Sequence, residues 1–71
     1  MVMTEKEKEV LKYIIEFKTV NSYAPTVREI ANGVNSKSLS HIHNILEILK
    51  EKKFITFVPG KHRSINVIKF L

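Results

Sequence analysis

Apolar residues recur at helical spacing in two separate stretches of this chain, and two short β-rich runs follow them. In the first stretch Val10, Ile14 and Phe17 form one stripe, widened by Leu11 and Ile15. Thr4 and Glu7 have the spacing of a capping box, and Glu5, Glu7 and Glu9 suit the positive end of a helix dipole. This predicts a helix from Thr4 to about Thr19. The segment Val20-Asn21-Ser22-Tyr23-Ala24 then reads as an irregular connection, because Asn-Ser favours turns and Pro25 pushes Ala24 out of the helical region. A second helix opens at Pro25-Thr26-Val27-Arg28-Glu29, where Thr26 and Glu29 repeat the capping box. After the turn Gly33-Val34-Asn35-Ser36-Lys37, a third helix starts at Ser38. There Ile42, Ile45, Leu46 and Leu49 fall on one face at i, i+3, i+4 and i+7. Last come Phe54-Ile55-Thr56-Phe57-Val58 and Ser64-Ile65-Asn66-Val67-Ile68, flanking Pro59-Gly60-Lys61-His62-Arg63 as two strands flank a turn.

The expected fold is mainly α with a small β-hairpin, in the order of a three-helix winged helix-turn-helix. It forms a single domain over residues 1–71, with no internal repeat, low-complexity tract or interdomain linker. A short β segment from either interhelical connection is a candidate to pair with the hairpin. A core of this size, without disulfides or metal, leaves on the order of 3–5 kcal/mol of net stability.

Charge placement adds to this picture more than composition does. Residues 1–20 carry four lysines and four glutamates, which cancel. Residues 21–71 carry eight Lys/Arg against three Glu, so the net charge of +5 sits in the helix-turn-helix and hairpin. A basic surplus confined to one module is what phosphate neutralisation requires. No apolar stretch approaches the ~18 residues of a membrane span, and no signal-peptide pattern opens the chain, so a cytoplasmic protein is expected.

In a helix-turn-helix the start of the second helix enters the major groove. Opposite the apolar stripe, Ser38, Ser40, His41, His43 and Asn44 are therefore the candidate base-reading residues, while Glu47 and Glu51 fall beyond the groove. Asn pairs bidentately with adenine, Ser bonds to any base, and His donates to guanine or to phosphate. Ser38 caps the helix in either case. Lys37 in the turn and Lys52 and Lys53 after the helix are candidate phosphate contacts. So are Thr26 and Arg28, since a helix start presents free amides to an anion. In the wing, Lys61, His62 and Arg63 stand at the hairpin tip, and Arg63 is the candidate for the minor groove, whose narrow negative potential attracts arginine.

Other chemistry is weakly supported. His41-x-His43 resembles metal-ligand spacing, but i and i+2 on a helix point about 200° apart. With neither cysteine nor aspartate in the chain, no metal site and no cofactor is expected. Ser36, Ser38 and Ser40 beside Lys37 suggest a Ser-Lys nucleophile pair, yet nothing nearby supplies an oxyanion cradle, so no enzyme activity is expected.

Several runs together resemble the DNA-binding domain of the LexA repressors. They are Pro25-Thr26-Val27-Arg28-Glu29-Ile30-Ala31, the Ser36-Lys37-Ser38 turn, Ile45-Leu46-Glu47-Ile48-Leu49, Glu51-Lys52-Lys53-Phe54-Ile55 and Arg63-Ser64-Ile65-Asn66-Val67. The opening run from Thr4 fits the same domain's first helix. By this resemblance the family's base-reading positions fall on Ser38, Ser40, His41, His43 and Asn44, and a place in the SOS response is implied. Two departures stand out. Asn35 replaces a common turn glycine, and Asn is the next-best residue for a left-handed conformation. Lys52-Lys53 replaces a usual Lys-Gly pair, which predicts a less tightly turned helix exit. LexA repressors continue into a dimerising self-cleavage domain with a Ser-Lys dyad, and this chain stops at Leu71. It is expected to be either a free-standing reader or the N-terminal part of a longer repressor.

The sequence thus points to a regulator that binds double-stranded DNA, occupying an operator as a repressor and pairing weakly as a homodimer on a palindromic site. The alternative is a protein-interaction module that pairs with another regulator protein, using Ile48 and the apolar tail Val67-Ile68-Lys69-Phe70-Leu71.

Overall fold

Local capping dictates where each helix begins. The computed structural model describes residues 3–69, so Phe70 and Leu71 of the apolar tail lie outside the described residues. Helix α1 spans Glu5–Asn21, α2 Val27–Gly33 and α3 Leu39–Glu51. Thr4 and Thr26 each cap their helix with the full reciprocal box, and Ser38 caps α3 by accepting the His41 N–H at 3.1 Å.

The first helix runs two residues past Thr19, through Val20 and Asn21. Side chains bond back onto its last turns: the Thr19 hydroxyl donates to Ile15 O (2.8 Å) and the Asn21 amide to Phe17 O (3.0 Å). Ser22 then ends the helix in the left-handed region, φ 66°, its N–H on Lys18 O. The turn residues read as irregular are thus the helix's own terminator.

Helices α2 and α3 end alike. After α2, Asn35 takes φ 56°, with Ser36 N–H donating to Ala31 O (2.8 Å) and Asn35 N–H to Asn32 O (3.4 Å). After α3, Lys53 takes φ 66°, with Phe54 N–H on Leu49 O and Lys53 N–H on Lys50 O, both 3.0 Å. Each is a Schellman termination with a non-glycine residue in the left-handed position. The exit from α3 is therefore as tightly turned with Lys53 as with glycine, contrary to the expectation of a looser one.

The hairpin consists of β1 (Ile55–Thr56) and β2 (Asn66–Val67), antiparallel, with Ile55 opposite Val67 and Thr56 opposite Asn66. This pairing is shorter than the two five-residue runs. Towards the tip the Ser64 side chain replaces the ladder: its Oγ accepts the Val58 N–H at 3.0 Å and lies within bonding reach of the carbonyls of Val58 and Lys61. Val58-Pro59-Gly60-Lys61 is a turn closed by Lys61 N–H on Val58 O (3.1 Å), with Pro59 second and Gly60 third at φ +78°, the type II pattern. The sheet is two-stranded, and no interhelical segment among the described residues joins it.

The core gathers Val10, Leu11 and Ile14 of α1, Ile30 and Ala31 of α2, and Ile42, Ile45, Leu46 and Leu49 of α3 under Ile55 and Ile65 of the hairpin. Leu11, expected at the margin of the α1 stripe, is fully buried, while Phe17 is half-buried and packs its ring on Tyr13 and Tyr23. Gly33 lies directly under the Tyr13 ring, so close that a Cβ there would overlap it, which fixes the approach of α1 to α2.

Lys53 is exposed and carries its left-handed backbone without glycine's freedom. Lys53→Gly is expected to stabilise the DNA-free protein by about 0.5–1 kcal/mol, or roughly 3–6 °C in Tm, measured by thermal unfolding. An unchanged or lower Tm would contradict this account of the exit.

Candidate nucleic-acid interface

The outer face of α3 follows from its inner one. Burying Ile42, Ile45, Leu46 and Leu49 turns Ser40, His41, His43 and Asn44 to solvent, and the N-cap Ser38 is exposed beside them. The Ser36 hydroxyl accepts the Ser38 N–H at 3.3 Å and braces the cap. Among the described residues no side-chain partner engages Ser40, His41, His43 or Asn44, so their donors and acceptors remain available. The first turn of α3 holds no acid, whereas α1 has Glu5 and Glu7 there and α2 has Glu29. One neighbour was missed in the sequence reading. Leu39, the first residue of α3, is 38% exposed although its spacing from Ile42 and Leu46 places it at the edge of the buried stripe.

The wing closes against this face. A groove of about 290 Å³ runs between the start of α2, the outer side of α3 and the hairpin, and Thr26, His43, Glu47, Lys61, His62 and Arg63 all line it. The fold thus brings together sequence-selected residues from three elements. Thr26 is less available than expected. Its N–H donates to the Glu29 carboxylate at 2.8 Å and its hydroxyl oxygen accepts the Glu29 N–H at 3.2 Å, so the capping box already uses both groups.

Two cations expected at phosphates make contacts within the fold in the DNA-free domain. Arg63, with φ 56°, directs its guanidinium back to α2: Nη1 and Nη2 donate to the two Glu29 carboxylate oxygens at 3.0 and 3.2 Å, and Nη1 donates to Ala24 O at 2.9 Å. Its guanidinium carbon lies 4.6 Å from the centre of the Tyr23 ring. In this arrangement Arg63 fastens the wing to the helices and is not extended as a minor-groove finger, because a bidentate carboxylate and an aromatic face satisfy it within the fold. Lys52 donates from Nζ to Glu7 Oε1 at 2.9 Å, with only 18% and 7% of the two side chains exposed. Lys52 thus ties α1 to the end of α3, which follows from Glu7 lying buried on the inner face of α1.

Lys37, Lys53, Lys61, Arg28 and His62 are exposed, and none pairs with a carboxylate among the described residues. They remain the outward basic set around α3. Lys50 folds over the wing's base, its Nζ 4.6 Å from the centre of the Phe57 ring.

Residues 1–64 match the family model of the LexA DNA binding domain. The chain belongs to the LexA DNA-binding domain family. It is 39% identical over 67 residues to the LexA repressor of Desulfatibacillum aliphaticivorans, covering 94% of this chain and 33% of that protein. It is also 39% identical over 66 residues to the LexA repressor of Acetivibrio thermocellus, covering 93% of this chain and 31% of the other. It therefore spans about a third of the length of the curated relatives it matches. The LexA match agrees with the three helices and short hairpin seen here. No helix among the described residues is long and apolar enough to cross a membrane.

Two ion pairs of this LexA-type domain, the largely buried Lys52–Glu7 and the more exposed, solvent-screened Arg63–Glu29, make its stability acid-sensitive. The Lys52 ammonium bonded to Glu7, aided by the Thr4 amide and opposed by burial, holds the Glu7 carboxyl below the usual carboxylate range. The Arg63 guanidinium, with the Thr26 amide, does the same at Glu29. A carboxyl whose value is lowered on folding adds stability above the unfolded glutamate value, about 4.3, and that stability is lost as pH falls through the folded value. Urea midpoints are accordingly expected to be flat near neutrality and to fall from about pH 5 downward. Glu7→Gln should cost about 1–3 kcal/mol at pH 7 and make that fall shallower. An acid decline as steep as wild type in Glu7→Gln would remove Glu7 as its source.

Proposed function

We propose that this chain reads a specific double-stranded DNA sequence through α3 and the wing, and represses transcription by occupying an operator that overlaps a promoter. The observation that carries the reading is the outer face of α3: unpartnered Ser40, His41, His43 and Asn44 on an acid-free first turn, with exposed cations at its margins. Hydrogen-bonding side chains free of internal partners suit base edges, and cations around them suit phosphates. Membership of a DNA-binding domain family, and likeness to proteins named LexA repressor, support DNA as the partner and repression as the sign of regulation. Palindromic half-sites would seat two copies related by a two-fold axis, and pairing on the operator would supply affinity that one small domain lacks.

Selection from a random DNA pool followed by titration tests this directly. Asn44→Ala is expected to cost about 1–3 kcal/mol on the enriched site and little on random DNA. Equal losses on both DNAs would mean that α3 does not read bases.

Salt dependence separates the outward cations from the internal ones. Contacts from Lys37, Lys53, Lys61 and Arg28 predict that log K falls with log[salt] with a slope of about −3 to −4 per protomer. Lys61→Ala should make the slope shallower by about 1, whereas Arg63→Gln should leave it nearly unchanged while weakening the wing's attachment. A flat salt dependence would exclude DNA and favour a protein partner.

A further inference from the structure

Leu39 occupies the first helical position of α3, between Ser38 and Ser40, at the edge of the buried stripe. It is not one of the buried core residues, and 38% of it faces solvent. Helix economy does not favour it either. The first turns of α1 and α2 carry glutamates that complement the helix dipole, and α3 has Leu39, Ser40 and His41 in the equivalent turn. A branched apolar side chain therefore stands among hydrogen-bonding groups, at the end of the helix that meets the major groove first. His43 lies four residues on, on the same side of the helix, so the two side chains flank one strip of surface.

We infer that Leu39 reads the C5-methyl group of a thymine in the half-site, as a specificity-determining residue beside the hydrogen-bonding set. In the major groove that methyl is the apolar feature separating thymine from the other bases, and an apolar side chain recognises it by contact and exclusion of water. Ser40 and Asn44 discriminate bases by donors and acceptors, and Leu39 adds a shape criterion that they cannot supply. The inference rests on the DNA-reading function proposed above.

Uracil provides the test, since it keeps every hydrogen-bonding group of thymine and lacks only the methyl. A half-site is first selected with the wild-type chain, and each thymine in it is then replaced singly by deoxyuridine. Wild type should lose roughly three- to tenfold in affinity at one thymine position, as burial of about one methyl group implies. Leu39→Ala should bind the thymine and uracil sites equally at that position, with an unchanged Tm because Leu39 lies outside the core. The inference is overturned if wild type tolerates every uracil, if Leu39→Ala retains the same loss, or if the selected half-site contains no thymine. Failure to enrich or bind any sequence is a different result: it removes the DNA-reading function itself, and this inference with it.

Discussion

The carboxylate of Glu29 is the point at which helix, turn and wing are joined. One of its oxygens accepts the Thr26 N–H at 2.8 Å and so completes the cap of α2, and both accept N–H groups from Arg63. Two hydrogen bonds in parallel fix an orientation as well as a distance, which a lysine ammonium could not do. From Arg63 the contacts continue through Tyr23 to Phe17 and Tyr13, rings 5.7 and 6.0 Å apart, and the Tyr13 ring rests on Gly33 at the end of α2. The wing, with only two residues per strand in its ladder, is thereby tied to α1 and α2. A hairpin this short is marginal alone, so its position over α3 depends on burial of Ile55 and Ile65 together with this side-chain attachment.

Charge in this domain has two uses that a count of residues does not separate. Arg63, Lys52, Lys50 and Lys18 each make a contact inside the protein: with Glu29, with Glu7, with the Phe57 ring and carbonyl, and with the Asn66 amide oxygen at 3.1 Å. The outward set is correspondingly smaller and lies around α3 and the hairpin tip. Exposed cations interact with phosphate across water and salt, whereas Glu7 and Lys52 meet where solvent is largely absent.

Legibility in the sequence followed the range of each interaction. The two capping boxes and the Ser38 cap connect residues three apart, and each was readable from residue type and spacing alone. The α3 stripe was equally clear, since burial of one helix face imposes a period of 3.6 residues. The extension of α1 to Asn21 was missed because Thr19 and Asn21 act as side-chain partners for backbone carbonyls, although their residue types more often signal turns. Arg63 with Glu29 and Lys52 with Glu7 were missed for a different reason. These pairs are 34 and 45 residues apart, so only the tertiary fold reveals that a tip arginine points inward. Lys53 shows the same limit in the backbone: a Schellman turn forms with lysine because Phe54 and Ile55 must be brought under α3.

The first turn of α3 is where folding and reading pull apart. A glutamate in place of His41 would complete a third capping box with Ser38 and lower the energy of the helix start. It would also put a carboxylate on the surface proposed to meet phosphates and base edges. The domain forgoes that stabilisation, and α3 is held instead by Ile42, Ile45, Leu46 and Leu49, each almost wholly buried, and by its termination at Lys53. Because those anchors lie on the inner face and at the far end, the outer face of the first two turns can vary with little effect on folding. Separating the residues that hold the helix from those that face outward leaves the outward set free to change without loss of the fold.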